Sequence, residues 1–178
     1  MPTDEELMQA VGRGDLLAFE QVVLRHQKEA WSVARRFLGD ATEAEDVAQE
    51  AFLRILEASS RYRPTASFRT YLYRVVTNLC LDRAEKKRPL YLESLPDAAA
   101  SDPSPADAFV AQERDQAVRA AVEAIPARQR AAIVLRYFEG LSTQEIASIM
   151  EITPKAVERL LARARSALEL RLKDLLNE

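Results

Sequence analysis

The chain has one cysteine, Cys80, one histidine, His26, and one tryptophan, Trp31. A lone thiol excludes an internal disulfide and any zinc site built on cysteines. Cys80 reads as a core thiol and His26 as an ordinary helix residue. Only four glycines are present in 178 residues, and no glycine-rich phosphate loop, HExxH or GxSxG occurs, so the familiar enzymatic constellations are missing. Neither an enzyme nor a small-molecule substrate or cofactor is indicated. No apolar run approaches the roughly 18 residues that span a bilayer, and the opening MPTDEEL lacks the basic start of a signal peptide. A cytoplasmic protein without membrane insertion is expected. One carboxylate cluster, Asp40, Glu43, Glu45, Asp46 and Glu50, invites a metal reading. However, Glu43, Asp46 and Glu50 would form an exposed stripe near a helix start, where acids complement the helix dipole, and no metal is expected there.

What the chain does have is Ala, Leu, Glu and Arg in abundance, with 48% hydrophobic and 30% charged residues. Strand-like runs of Val, Ile and Thr are absent, so the composition predicts a soluble all-α fold. The net charge of −3 conceals a partition. Residues 1–53 hold five basic and eleven acidic side chains; residues 54–88 hold nine and three. Residues 89–113 hold five acids and no base, 114–152 hold five of each, and 153–178 hold six bases and four acids. Such blocks point to separate surfaces for separate partners.

Capping boxes punctuate the helices. Thr3 to Glu6 starts a short helix reaching about Val11, with Gly12 and Gly14 breaking it. Asp15 caps a long helix carrying Phe19, Val22, Val23, His26, Ala30, Val33 and Phe37 at helical spacing, ended by Gly39. Thr42 to Glu45 is a second box, opening a helix with Val47, Ala51 or Phe52, Ile55 and Leu56 on its apolar side. SSRYRPTAS, residues 59–67, is a loop because Pro64 disfavours helical geometry at Arg63. Ser67 then caps a helix burying Leu72, Val75, Val76, Leu79 and Cys80. Residues 89–105, with four prolines and three aspartates, form an extended acidic linker. It divides the chain into helical domains at 1–88 and 106–178. Ser104-Pro105 begins the next helix, Ile125-Pro126 breaks it, and another helix spans residues 127–138 before Gly140.

The third box, Ser142 to Glu145, opens a helix-turn-helix pattern. Ile146, Ile149, Val157, Leu160 and Leu161 face the core, Ala147 is small at the crossing, and Thr153-Pro154 starts the second helix. Glu151 occupies the corner, where a left-handed backbone costs a non-glycine residue about 1 kcal/mol. Thr153, Lys155, Ala156 and Arg159 share the outward N-terminal face suited to a major groove, with Arg163 and Arg165 placed for phosphates. An exposed basic helix with no DNA role is the competing reading. RYRPTASFRTYLYR, residues 61–74, interleaves Tyr62, Phe68, Tyr71 and Tyr73 with Arg61, Arg63, Arg69 and Arg74. It is either a stacking platform for single strands or helix core with arginines extending beside it; composition does not choose between them.

Taken in order, DATEAEDVAQEAFLRILE, FRTYLYRVVTNLCLD and IPARQRAAIVLRYFEGLSTQEIASIMEITPKAVERLLARARSAL strongly resemble bacterial RNA polymerase sigma factors of the extracytoplasmic-function group, within the sigma-70 family. The resemblance spans residues 19–172. It implies that the helix at 45–56 docks on the clamp helices of the largest polymerase subunit through Glu45, Asp46, Gln49, Glu50, Phe52, Leu53 and Leu56. It implies that Arg61, Tyr62, Arg63, Thr65, Ser67, Phe68, Arg69, Tyr71, Arg74 and Asn78 capture the melted minus-ten strand, Tyr71 standing near the point of strand separation. Asp82 and Lys86 to Arg88 would lie near upstream duplex, and the linker would run toward the active centre and RNA exit path. The C-terminal domain would bind the flap of the second-largest subunit. It would read the minus-thirty-five element through Thr153, Lys155, Ala156, Glu158, Arg159, Arg163 and Arg165. An anti-sigma factor is a further implied partner.

The recognition helix departs from the family. Many relatives carry Gly-Thr-Val-Lys-Ser-Arg where this chain has Lys155-Ala156-Val157-Glu158-Arg159-Leu160, so base readout differs, and Glu158 can select cytosine or repel phosphate. Acidic blocks suit a factor that binds promoters only together with polymerase. The alternatives are a stand-alone helix-turn-helix regulator and a helical adaptor without nucleic-acid contact.

Overall fold

The computed structural model describes residues 1–87 and 106–176. The expected linker at 89–105, with the Ser104-Pro105 helix start, and Arg88 lie outside the described residues. Among the described residues all regular structure is helical.

Short polar side chains set the helix starts. Helix α1, Asp4–Gly12, opens on a reciprocal cap in which Glu6 N–H donates to Thr3 Oγ1 at 3.2 Å and Thr3 N–H donates to the Glu6 carboxylate at 2.8 Å. Asp15 takes the N–H groups of Leu17 and Ala18 to start α2, Leu16–Leu38, which ends at Gly39 with φ 75°. Each such cap contributes about 1 kcal/mol. Helix α3, Ala41–Ala58, starts two residues before the expected Thr42 box. The turn out of Gly39 leaves Asp40 extended, and its carboxylate reaches Glu43 N–H at 2.8 Å before Thr42 is in a capping position.

A single 3₁₀ turn, Ser59–Arg61, follows α3 and leads into an irregular stretch to Ser67. Ser67 Oγ accepts from Thr70 N–H at 3.2 Å to start α4, Phe68–Lys87. After α5, Ala106–Ala124, comes α6, Ala127–Ile133. The expected helix at 127–138 does not stay α-helical: Val134–Phe138 widens into a π-turn before Gly140 reverses the chain at φ 67°. Helices α7, Thr143–Met150, and α8, Pro154–Leu176, complete the molecule.

Val22, Val33, Phe37, Val47, Ile55, Leu72, Val76 and Leu79 are buried among α2, α3 and α4, with Met8 of α1. Each such aliphatic or aromatic side chain gains about 1.5–3 kcal/mol from burial. The C-terminal half buries Ile133, Leu135, Ile146, Ile149, Val157 and Leu161. These two sets form one continuous apolar cluster, because α4 packs against both α6 and α7. Contact is close at the seam. A Cβ placed on Gly39 would lie 1.8 Å from a Glu123 carboxylate oxygen. Across it, Arg130 donates to the Phe37 carbonyl at 3.2 Å and covers that ring at 4.9 Å.

Candidate nucleic-acid interface

The helix-turn-helix is fully formed. Ser142 and Glu145 cap α7 reciprocally at 3.2 and 2.7 Å, and the donated Ser142 N–H holds the Glu145 carboxyl below its usual range. Glu151 takes the left-handed corner at φ 55°, ψ 43°, and Ile152 N–H closes the turn on Ala147 carbonyl at 3.1 Å. Thr153 Oγ1 then accepts from Ala156 N–H at 3.1 Å, and Pro154 occupies the first helical position, where its missing N–H costs nothing. Val157 and Leu161 are buried, so α8 presents the opposite face outward. Thr153, Lys155, Glu158, Arg159, Arg163 and Arg165 are exposed and Ala156 is half-buried. Arg165 donates to Tyr137 Oη at 3.1 Å. Among the described residues, no hydrogen bond or ion pair engages Lys155, Arg159 or Arg163.

The arginine-aromatic stretch divides by depth. Arg61, Arg63, Thr65 and Ser67 are exposed on the loop, as is Asn78 on α4. Arg63 donates to the Tyr62 carbonyl at 3.0 Å. The Tyr62 and Tyr71 rings pack at 5.3 Å and both are half-buried. Burial of its phenol pushes Tyr62 up to about 12. The Tyr71 phenol is raised by the same cause, opposed by the charges of Arg61 and Arg74. Phe68 and Tyr73, by contrast, are 0% exposed. Phe68 sits between Tyr71 at 6.3 Å and His26 at 5.0 Å. Both ends of the loop are fixed by α1. Ser59 carbonyl lies where a Cβ on Gly12 would be only 2.8 Å away, and Glu5 accepts the Phe68 N–H at 3.1 Å. Sequence reading assigned Glu5 no role, since an acid in a first turn is ordinary.

Two arginines of this stretch turn toward the C-terminal half. Arg69 lies over the Tyr73 ring at 4.9 Å, donates to its Oη at 3.0 Å and approaches Glu139 at 3.8 Å. Arg74 donates to the Ser148 carbonyl of α7 at 3.0 Å and lies 4.0 Å from Glu151. Neither Glu139 nor Ser148 carries a sequence signal for this, because the contact exists only once the halves meet.

The third surface lies between α2 and α3. Phe19, Val23, Trp31, Ala48, Phe52 and Leu53 line a groove of about 740 Å³. Leu53 is 58% exposed and Phe52, at 6%, forms its floor; Leu56 is half-buried. Glu45, Asp46 and Gln49 stand exposed along the rim. The expected acidic stripe is split, since Glu43 pairs with Lys87 of α4 and Glu50 pairs with Arg54 at 2.7 Å and Arg83 at 3.8 Å. Among the described residues no cluster of metal-capable side chains forms, and no helix is long and apolar enough to cross a membrane.

Comparison with known proteins accounts for this combination of surfaces. Residues 22–89 match the model of sigma-70 region 2, and residues 115–168 match that of sigma-70 region 4. The chain is 35% identical to the RNA polymerase sigma-H factor of Pseudomonas aeruginosa, covering 98% of this chain and 96% of the relative. It is 34% identical to the ECF RNA polymerase sigma factor SigW of Bacillus subtilis, covering 93% and 94%. Among solved structures, CnrH in complex with the cytosolic domain of CnrY superposes with a TM-score of 0.69 at 27% identity, covering 96% and 97%. With its groove, its arginine loop and its helix-turn-helix in the order those relatives have them, the chain belongs to the extracytoplasmic-function group of RNA polymerase sigma factors.

Proposed function

We propose that this sigma factor divides its work among the three surfaces. The groove between α2 and α3, with Glu45, Asp46, Gln49, Glu50, Phe52, Leu53 and Leu56, docks the clamp helices of core RNA polymerase. The 61–78 stretch captures the melted minus-ten strand: exposed Arg61, Arg63, Thr65 and Ser67 hold backbone and base edges, Tyr62 and Tyr71 offer ring faces, and buried Phe68 keeps them in place. Residues Thr153 to Arg165 of the helix-turn-helix read the minus-thirty-five duplex, while the C-terminal half engages the polymerase flap. The domains at 1–88 and 106–178 carry these tasks separately. An anti-sigma factor competes for the groove, and the protein acts in the cytoplasm.

One observation carries this reading: the unpaired, exposed cations Lys155, Arg159 and Arg163 on the second helix of a helix-turn-helix. Cations held in water without partners keep their full attraction for phosphate and for guanine edges.

Run-off transcription with purified core polymerase on a library of promoter fragments is the direct test. Discrete transcripts that require the protein are expected, and their start sites define both elements. No stimulation, together with tight duplex binding by the protein alone, would sink the reading in favour of a stand-alone regulator. Within the reading, Arg159→Ala weakens upstream-element binding by about 1–3 kcal/mol, whereas Tyr71→Ala impairs strand opening more than initial docking. Equal loss of duplex binding from both substitutions contradicts this division.

A further inference from the structure

The Glu139 carboxylate sits in the turn after the π-turn and is held entirely by the other half of the chain. Arg36 of α2 donates to it at 2.7 Å, Tyr73 Oη of α4 donates at 2.8 Å, and Arg69 stands at 3.8 Å. The Glu139 side chain is only 9% exposed. Beside it, Arg74 holds the Ser148 carbonyl and faces Glu151, the one non-glycine residue at positive φ among the described residues. Arg69 and Arg74 are thus occupied by the C-terminal half. A strand phosphate and the Glu139 carboxylate are both anions suited to a guanidinium fork, so they compete for Arg69.

Scale reinforces the point. DNA elements centred at minus ten and minus thirty-five are about 25 base pairs apart, or about 80 Å along a duplex at 3.4 Å per pair. A packed chain of this length has a radius of gyration of about 16 Å. The closed arrangement cannot span them. We propose that Glu139 is an internal anion that latches the two halves together and masks Arg69 and Arg74 until the chain is opened on polymerase. This rests on the reading of those arginines as minus-ten contacts.

The test uses the full chain with dyes at Gln21→Cys and Glu169→Cys, exposed positions on α2 and α8. Cys80 does not compete for label, being 1% exposed with its thiol pushed by burial up to about 12. The free protein should give a high-transfer state that core polymerase converts to low transfer. Glu139→Gln should raise the low-transfer fraction of the free protein at least about tenfold. In the undyed chain it should tighten binding of a labelled mixed-sequence single-stranded 20-mer about tenfold, while Glu20→Gln, an equal charge change at an exposed site, should not. Glu151→Gly removes a latch contact while relieving backbone strain, so it should open the chain without unfolding it, checked by circular dichroism. A wild-type protein already in low transfer overturns the latch. So does an unchanged transfer distribution in both variants, or opening without any gain in oligonucleotide affinity. Run-off transcription on the same preparations separates the two levels. Transcripts from a protein whose dyes do not respond to Glu139→Gln reject the latch alone; no transcripts at all reject the sigma-factor assignment of Arg69 and Arg74, and the latch with it.

Discussion

Helices α4 and α8 are both rich in arginine, yet packing gives them opposite characters. On α4, Arg69 and Arg74 are tied to Tyr73, Glu139 and Ser148, and the aromatics between them include two fully buried rings. On α8, Lys155, Arg159 and Arg163 point into solvent without partners. Similar composition therefore builds a seam in one place and a ligand-facing surface in the other. What separates them is whether a second element covers the helix.

Substitutions can break or sharpen this contrast. The largest effect is expected at Tyr73. Tyr73→Ala empties a fully buried site and removes a hydrogen bond to a buried carboxylate, and should lower unfolding free energy by about 3–5 kcal/mol in urea titrations. Tyr71→Ala, at a half-buried ring, should cost clearly less; equal losses would mean that the two rings are equally core. Next comes Arg159→Ala. It should reduce minus-thirty-five binding by the same 1–3 kcal/mol range given above while leaving stability within about 0.5 kcal/mol. Destabilisation matching that of Arg74→Ala, read by thermal unfolding, would erase the distinction between seam and surface.

The smallest expected effect concerns the cap of α7. Ser142→Ala should cost about 1 kcal/mol. Glu145 adds a pH signature. Its folded pKa is depressed by the Ser142 N–H, so its contribution is present above the unfolded glutamate value and fades as pH falls through the lower folded one. The stability gap between wild type and Glu145→Gln should therefore narrow below about pH 4. A gap that widens on acidification would reverse the sign of this contribution.

Much of this was legible from local chemistry. Thr3, Asp15, Ser67, Ser142 and Thr153 all cap as their sequence context predicts, and Gly39 and Gly140 terminate helices, because capping depends on neighbours a few residues away. Asp40 displaced Thr42 because the exit geometry of α2 decides which of two nearby acceptors meets the first free N–H groups. The seam was not legible. Tyr73 and Thr77 lie on the face of α4 that looks polar in sequence, and they become buried only through a half of the chain that comes later. Glu139 gives no hint either, since an acid before a terminating glycine is unremarkable until Arg36, Arg69 and Tyr73 converge on it. The π-turn at Val134–Phe138 escaped for a related reason: apolar spacing of four and of five residues cannot be told apart over one turn.

That π-turn has a consequence for how this chain tolerates insertions and deletions. An α-helix advances about 100° per residue, and a π-turn accommodates one residue more than the regular turn it replaces. Deleting a single residue between Val134 and Phe138 would let the turn relax into ordinary α-helix, with no loss of helical structure. Everything after it, corner and recognition helix included, would be re-aimed by about a quarter turn about the α6 axis. The chain would still fold locally and still carry every side chain needed for binding. It would be a mutation of direction, legible as harmless in an alignment and severe in three dimensions.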